Sequence, residues 1–203
     1  MIKVVLFDYG GIIKVGHPLS MDLARICNVP EKELEQIKEK KSEIAVLAEK
    51  GIITDEEFWK RLSEAIGKPL PADCAKTAKD IYRKTFVFIQ ETVDLVKKLR
   101  AMGIRVVVLS NIFKFEADVI RENKGYDEFE DVILSYEVGM KKPEMDIYQL
   151  AVEKLKVKPE ECIFIDDKEK NLLPAKELGM KTVLAKNPAQ IREDVLHLLD
   201  RKN

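Results

Sequence analysis

VVLFDYGGII, residues 4–13, runs from four apolar residues into an aspartate and then, after Tyr9, a pair of glycines. The apolar run 2–7 suits a strand buried on both faces, so Asp8 is predicted to stand where that strand ends. Four more runs of the same texture follow at 104–109, 132–134, 162–165 and 182–184. Helical spacing fills the gaps between them. Val93, Val96 and Leu99 precede Gly103, Ile147, Ala151 and Leu155 follow Pro143, and Leu172, Ala175 and Leu178 precede Gly179. Proline near a helix start and glycine past its end are the expected punctuation. Strands alternating with helices predict an α/β fold with a parallel sheet and helices on both faces.

Residues 18–88 break this rhythm and read as successive helices. Leu34, Ile37, Ile44 and Leu47 make one apolar face, Thr54 and Glu57 a capping box, Gly67 a stop, and 71–82 a further helix. The predicted organisation is a core domain from residues 1–17 and 89–203, with an all-helical cap, 18–88, inserted after the first strand. That position overlooks the carboxyl ends of the sheet, where open α/β folds place their sites. Trp59 is expected to be core of the helical unit, and Phe113 and Phe115 are expected at the pocket or in the core.

Composition narrows the function classes. The chain has 203 residues, 46% hydrophobic, with 35 basic against 36 acidic side chains and a net charge of -1, which favours neither nucleic acid nor an anionic membrane as partner. Cys27, Cys74 and Cys162 are scattered and lack metal-ligand spacing, as in a protein of the reducing cytoplasm. No stretch has the length of a membrane span.

Polar residues gather at the strand ends: Asp8, then Ser110 and Asn111, then Lys142, then Asp166 and Asp167. Parallel strands bring those ends to one edge, where carboxylates repel unless a cation joins them. Three aspartates point to Mg²⁺, a hard ion that takes oxygen ligands. Ser110, Lys142 and the N–H groups of Gly10 and Gly11 would then receive phosphoryl oxygens.

VVLFDYGGII, VVVLSNI, GMKKPEMDIY and CIFIDDKEKN together resemble the four motifs of the haloacid dehalogenase superfamily of hydrolases. The resemblance implies a Rossmann-like parallel sheet with a helical cap and Mg²⁺-dependent hydrolysis of a small phosphate monoester. In that scheme Asp8 is the nucleophile that becomes an aspartyl phosphate, Ser110 and Asn111 bind the substrate, and Lys142 rather than Lys141 neutralises the transferring group. Asp8, Asp167 and the Gly10 carbonyl would ligate Mg²⁺, Asp166 would do so directly or through water, and Asn171 would stand behind the metal.

One position departs from the family. Most phosphatases of this superfamily carry a second aspartate where this chain has Gly10, and losing that acid and base costs roughly 10²- to 10⁴-fold on a poor leaving group. His17 is a candidate replacement, with an exposed turn as its plainer reading; His197 is expected on the surface. Two other readings fit a missing acid: a non-catalytic module that binds phosphorylated ligands, and a 2-haloacid dehalogenase, whose chemistry makes no use of a paired-acid cation site.

Overall fold

The protein's computed structural model describes residues 1–16 and 19–200. Its strands are β1 (Val4–Phe7), β2 (Arg105–Ser110), β3 (Asp131–Leu134), β4 (Cys162–Asp166) and β5 (Lys181–Leu184), which form one five-stranded sheet in the order β3-β2-β1-β4-β5. All pairings are parallel. The first strand runs from Val4 rather than Ile2, although the Lys3 backbone already bonds both neighbours, its N–H donating to Glu161 O at 2.8 Å and its O accepting the Arg105 N–H at 3.0 Å.

After β1 come the helices α1 (Leu23–Cys27), α2 (Glu31–Gln36), α3 (Lys38–Glu49), α4 (Asp55–Ile66) and α5 (Cys74–Lys84). The apolar face shared by Leu34, Ile37 and Ile44 spans a break, since Ile37 leaves helical geometry (φ -110°, ψ 20°) and divides α2 from α3. Thr54 caps α4 by accepting the Glu57 N–H at 3.2 Å, and Gly67 ends it at φ 76°. The expected capping box is only half made, because the Glu57 carboxylate turns to Arg61 at 2.8 Å. Trp59 is buried with its ring edge-on to Phe58, as a core residue should be. The chain enters and leaves this helical segment side by side: the Val15 N–H donates to Val87 O at 2.9 Å and the Ile89 N–H to Ile13 O at 2.8 Å.

The remaining helices are α6 (Gln90–Ala101), α7 (Lys114–Glu122), α8 (Ser135–Val138), α9 (Met145–Leu155), α10 (Glu169–Leu178) and α11 (Pro188–Asp200). Alternate strand residues feed two cores, as a period of two demands. Val5, Phe7, Val106, Val108 and Ile165 pack with α6, α11 and the helical segment, while Val4, Leu6, Val107, Leu109 and Phe164 pack with α9 and α10. Cys27, Cys74 and Cys162 are free and buried. No helix among the described residues is long and apolar enough to cross a membrane.

This topology fixes where chemistry sits. The sheet grows outward from β1 through β2 on one side and β4 on the other, so the order reverses between β1 and β4. Crossovers leave that point to opposite faces and open a crevice beyond the carboxyl ends of these two strands. Asp8 and Asp166 are the residues found there.

Candidate active site

Asp8 leaves β1 with its N–H bonded to Ile165 O at 2.8 Å, which continues the ladder by one residue and holds its carboxylate beside β4. Asp166 closes β4 and is fully buried. Between the two carboxylates lies the Lys142 ammonium, 2.8 Å from Asp8 Oδ1 and 2.7 Å from Asp166 Oδ2. Burial opposes the charge on Lys142, yet Asp8 and Asp166 more than offset it and raise its pKa. Lys141 points elsewhere and pairs with Glu49 of α3.

Lys142 arrives from a loop, and a loop lysine needs its backbone held to aim at two acids. Asn111 does this, with Nδ2 donating to Lys142 O at 2.7 Å and Oδ1 accepting the Lys142 N–H at 2.8 Å. Asn111, expected as a substrate-binding residue, has its amide engaged with the lysine loop on both sides and also lines the cavities that contain Asp8. Asn111→Ala would strand a peptide N–H and C=O, an expected loss of about 1–3 kcal/mol readable in urea unfolding. A substrate-binding Asn111 would instead raise KM with stability unchanged. Ser110, three per cent exposed, ends β2 next to this clamp and lines the cavity that reaches Asp8.

Asp166 has little capacity left for a metal. Its Oδ1 accepts the Lys168 N–H at 2.9 Å and Asn171 Nδ2 at 2.9 Å, and its Oδ2 accepts Asn171 Nδ2 at 3.0 Å as well as Lys142. A carboxylate offers about four lone-pair sites, and Lys168, Lys142 and the Asn171 amide shared between both oxygens take most of them, which leaves room for a water. Asp167 is exposed, and Asp8, Asp166 and Asp167 each bring an oxygen within 4.8 Å of the others. Three carboxylates against one ammonium leave an excess of negative charge that suits a divalent cation with oxygen ligands. The residues fit Mg²⁺, with Asp8 and Asp167 the open ligands and Asp166 better suited to act through water.

The two glycines differ. Gly11 has φ 79°, and a Cβ there would come 3.2 Å from Asp167 Oδ2, so a side chain would crowd the acid. Its N–H donates to Lys14 O at 2.8 Å, which corrects the expectation that it is available to a phosphoryl oxygen. Gly10 is exposed, and a Cβ would meet nothing within 4 Å.

A cavity of about 330 Å³ opens from Asp8 and is lined also by Gly10, Ser110, Asp167, Lys14 and Glu116. The last two were not singled out by the sequence reading. Lys14 is buried, donates to Val15 O at 2.9 Å and sits 4.4 Å from the Tyr82 ring centre of α5. A lysine interrupting the apolar run GGIIKV was the available signal. Phe113 reaches the same cavity while remaining buried, and Phe115 is also buried. A larger cavity of about 730 Å³ lies between α4, α5 and α7, away from the carboxylates. His17 lies outside the described residues; His197 is exposed on α11.

Residues 2–179 match the haloacid dehalogenase-like hydrolase family. The chain belongs to that family. Among its haloacid dehalogenase-like relatives, D-ribitol-5-phosphate phosphatase of Bacteroides thetaiotaomicron is 28% identical over 98% of this chain and 100% of its own length. A HAD family enzyme from Bacteroides thetaiotaomicron, solved as a magnesium complex, superposes with a TM-score of 0.77 at 31% identity, covering 98% of this chain and 99% of that one. L-2-haloacid dehalogenase from Xanthobacter autotrophicus, at 22% identity and a TM-score of 0.64 over 97% of this chain and 83% of that one, shares the fold.

Proposed function

We propose that the protein is a Mg²⁺-dependent phosphatase that hydrolyses a small phosphate monoester through a phosphoryl group carried on Asp8. The observation that carries this reading is the Asp8–Lys142–Asp166 row at the sheet's switch point with Asp167 beside it. A paired-acid cation site has a use in phosphoryl transfer and none in halide displacement, which sets the dehalogenase reading aside. A purely binding module would gain from a neutral residue at position 8, since an unneeded carboxylate repels the phosphate it holds.

Asp8 and Asp167 would hold the metal together with the Gly10 carbonyl, with Asp166 acting through water. When bound, Mg²⁺ would neutralise phosphoryl oxygens and bring the anionic substrate to an anionic site. Ser110 would donate its hydroxyl to a phosphoryl oxygen. Lys142 would hold the Asp8 carboxylate in line for attack and balance charge as it builds on the phosphoryl group. Residues 18–88 would serve as the cap that covers the crevice and excludes water during the first step. Three buried thiols fit a cytoplasmic setting.

A cavity of about 330 Å³ with the polar side chains of Lys14, Glu49 and Glu116 on its walls suits a short, hydroxyl-bearing leaving group. The relative's substrate, D-ribitol 5-phosphate, is therefore the first compound to assay beside an aryl phosphate. Turnover is expected with Mg²⁺ and loss of at least tenfold on chelation with EDTA, while Asp167→Asn is expected to raise the Mg²⁺ concentration for half-maximal rate by about tenfold or more, the worth of a lost charged ligand contact. Absence of phosphate release with any divalent metal would move the assignment to the binding module.

A further inference from the structure

With glycine at position 10, the phosphatase reading leaves proton transfer without an owner; of the other carboxyl groups that line the cavity beside Asp8, Glu49 is paired with Lys141 and Asp167 is an open metal ligand, which leaves Glu116. Glu116 is the third residue of α7, the helix that follows the Ser110 strand end. Its side chain folds back over the helix start, where Oε2 accepts the Phe113 N–H at 3.2 Å. That is its only hydrogen bond among the described residues, so lone pairs remain for a ligand in the cavity it shares with Asp8, Gly10 and Ser110. Asp8 and Asp166, by contrast, are bound to the Lys142 ammonium.

The charged and titratable groups around Glu116 are Lys14 after β1, Glu49 of α3, Asp55 of α4, Tyr82 of α5 and Tyr126 between α7 and β3. Burial is the main influence and pushes the Glu116 carboxyl up to about 7; the Phe113 N–H and Lys14 pull it down, while Glu49 and Asp55 push it further up. Tyr82 is held neutral by burial and by the negative charges of Glu116 and, among others, Asp8. A carboxyl group poised near neutrality can both give and take a proton.

We propose that Glu116 is the acid and base of this site, supplying the proton transfers that position 10 cannot. The proposal rests on the phosphatase reading. In the first step Asp8 forms an O–P bond, the ester P–O bond breaks, and the leaving oxygen takes the Glu116 proton to depart as an alcohol. In the second, Glu116 as carboxylate takes a proton from water, the water oxygen bonds to phosphorus, and the P–O bond to Asp8 breaks. Phosphate leaves, and Asp8 and protonated Glu116 are restored.

Glu116→Gln separates this role from helix capping, because glutamine also accepts the capping N–H but exchanges no proton at neutral pH. The test compares kcat/KM of both proteins with a simple alkyl phosphate and with 4-nitrophenyl phosphate, whose leaving group needs little acid. The alkyl value is expected to fall roughly 10²- to 10⁴-fold and the aryl value less than about tenfold. In the wild type the alkyl kcat/KM should decline as pH rises through about 7, where Glu116 loses its proton, and Glu116→Gln should lack that limb. Equal losses on both substrates, or no loss on the alkyl ester, would overturn the proposal. If the wild type hydrolyses neither ester with Mg²⁺, the phosphatase reading itself fails and takes this one with it. Should Glu116→Gln not fold, Lys14→Met removes the charge that stabilises ionised Glu116, and the limb is expected to move to higher pH; an unmoved limb would refute the assignment.

Discussion

Asp8→Asn is expected to lower kcat on any phosphate ester by on the order of 10⁴- to 10⁶-fold, the range seen when a nucleophile is deleted from an otherwise intact site. The substitution is nearly isosteric and leaves the Asp8 backbone bond to Ile165 in place. Lys142 keeps Asp166 at 2.7 Å, so the buried ammonium retains a counter-charge. Three neighbouring carboxylates become two, which relieves repulsion in the metal-free protein. The thermal midpoint should therefore stay within a few degrees of the wild type while turnover disappears. Measured together, activity and unfolding distinguish loss of the attacking group from loss of the fold. Wild-type rates in a folded Asp8→Asn protein would sink the nucleophile assignment.

Lys142→Met is expected to damage stability as well as rate. The lysine is two per cent exposed and sits between two buried carboxylates whose repulsion it compensates. Removing one member of a buried ionic group leaves uncompensated charge and costs roughly 3–5 kcal/mol. Methionine fills most of the volume, so the loss reports charge rather than a cavity. Urea unfolding of the metal-free variant should show that drop, and saturating Mg²⁺ should recover part of it by supplying positive charge to Asp8 and Asp167. Lys141→Met gives the contrast. Lys141 pairs with Glu49 at the rim of the site, and its loss should cost about 1 kcal/mol or less. Equal losses for the two lysines would contradict the charge balance described for the carboxylates.

The sheet was legible because parallel strands buried on both faces leave continuous apolar runs, and each of the five runs became a strand. Errors fell where local pattern and tertiary contact differ. Ile2 and Lys3 fell outside β1, and the face through Ile37 did not reveal that α2 and α3 are separate helices. At the site, Asp8, Ser110, Lys142 and Asp166 could be read because each follows or ends a strand, or lies in the loop after one, and parallel strands converge at one edge. What sequence did not carry was direction. Asn111 reads as a pocket residue, and only the fold shows that its amide also grips the Lys142 backbone; the Gly11 N–H looks open until Lys14 O is found in front of it. Glu116 was hidden for a similar reason. In SNIFKFE it reads as an ordinary first-turn acid of a helix, and only the tertiary fold brings it to the cavity of Asp8.

Phosphoryl transfer to Asp8 is tested most directly by acid-quenching the wild-type protein during turnover of an aryl phosphate with Mg²⁺ and mapping its peptides by mass. One phosphoryl group is expected on the peptide that contains Asp8 at quench times within the first turnovers, in larger amount in Glu116→Gln, where water attack loses its base, and none in Asp8→Asn. Steady release of phosphate with no phosphorylated protein at any quench time, or with the phosphoryl group on another residue, would contradict it.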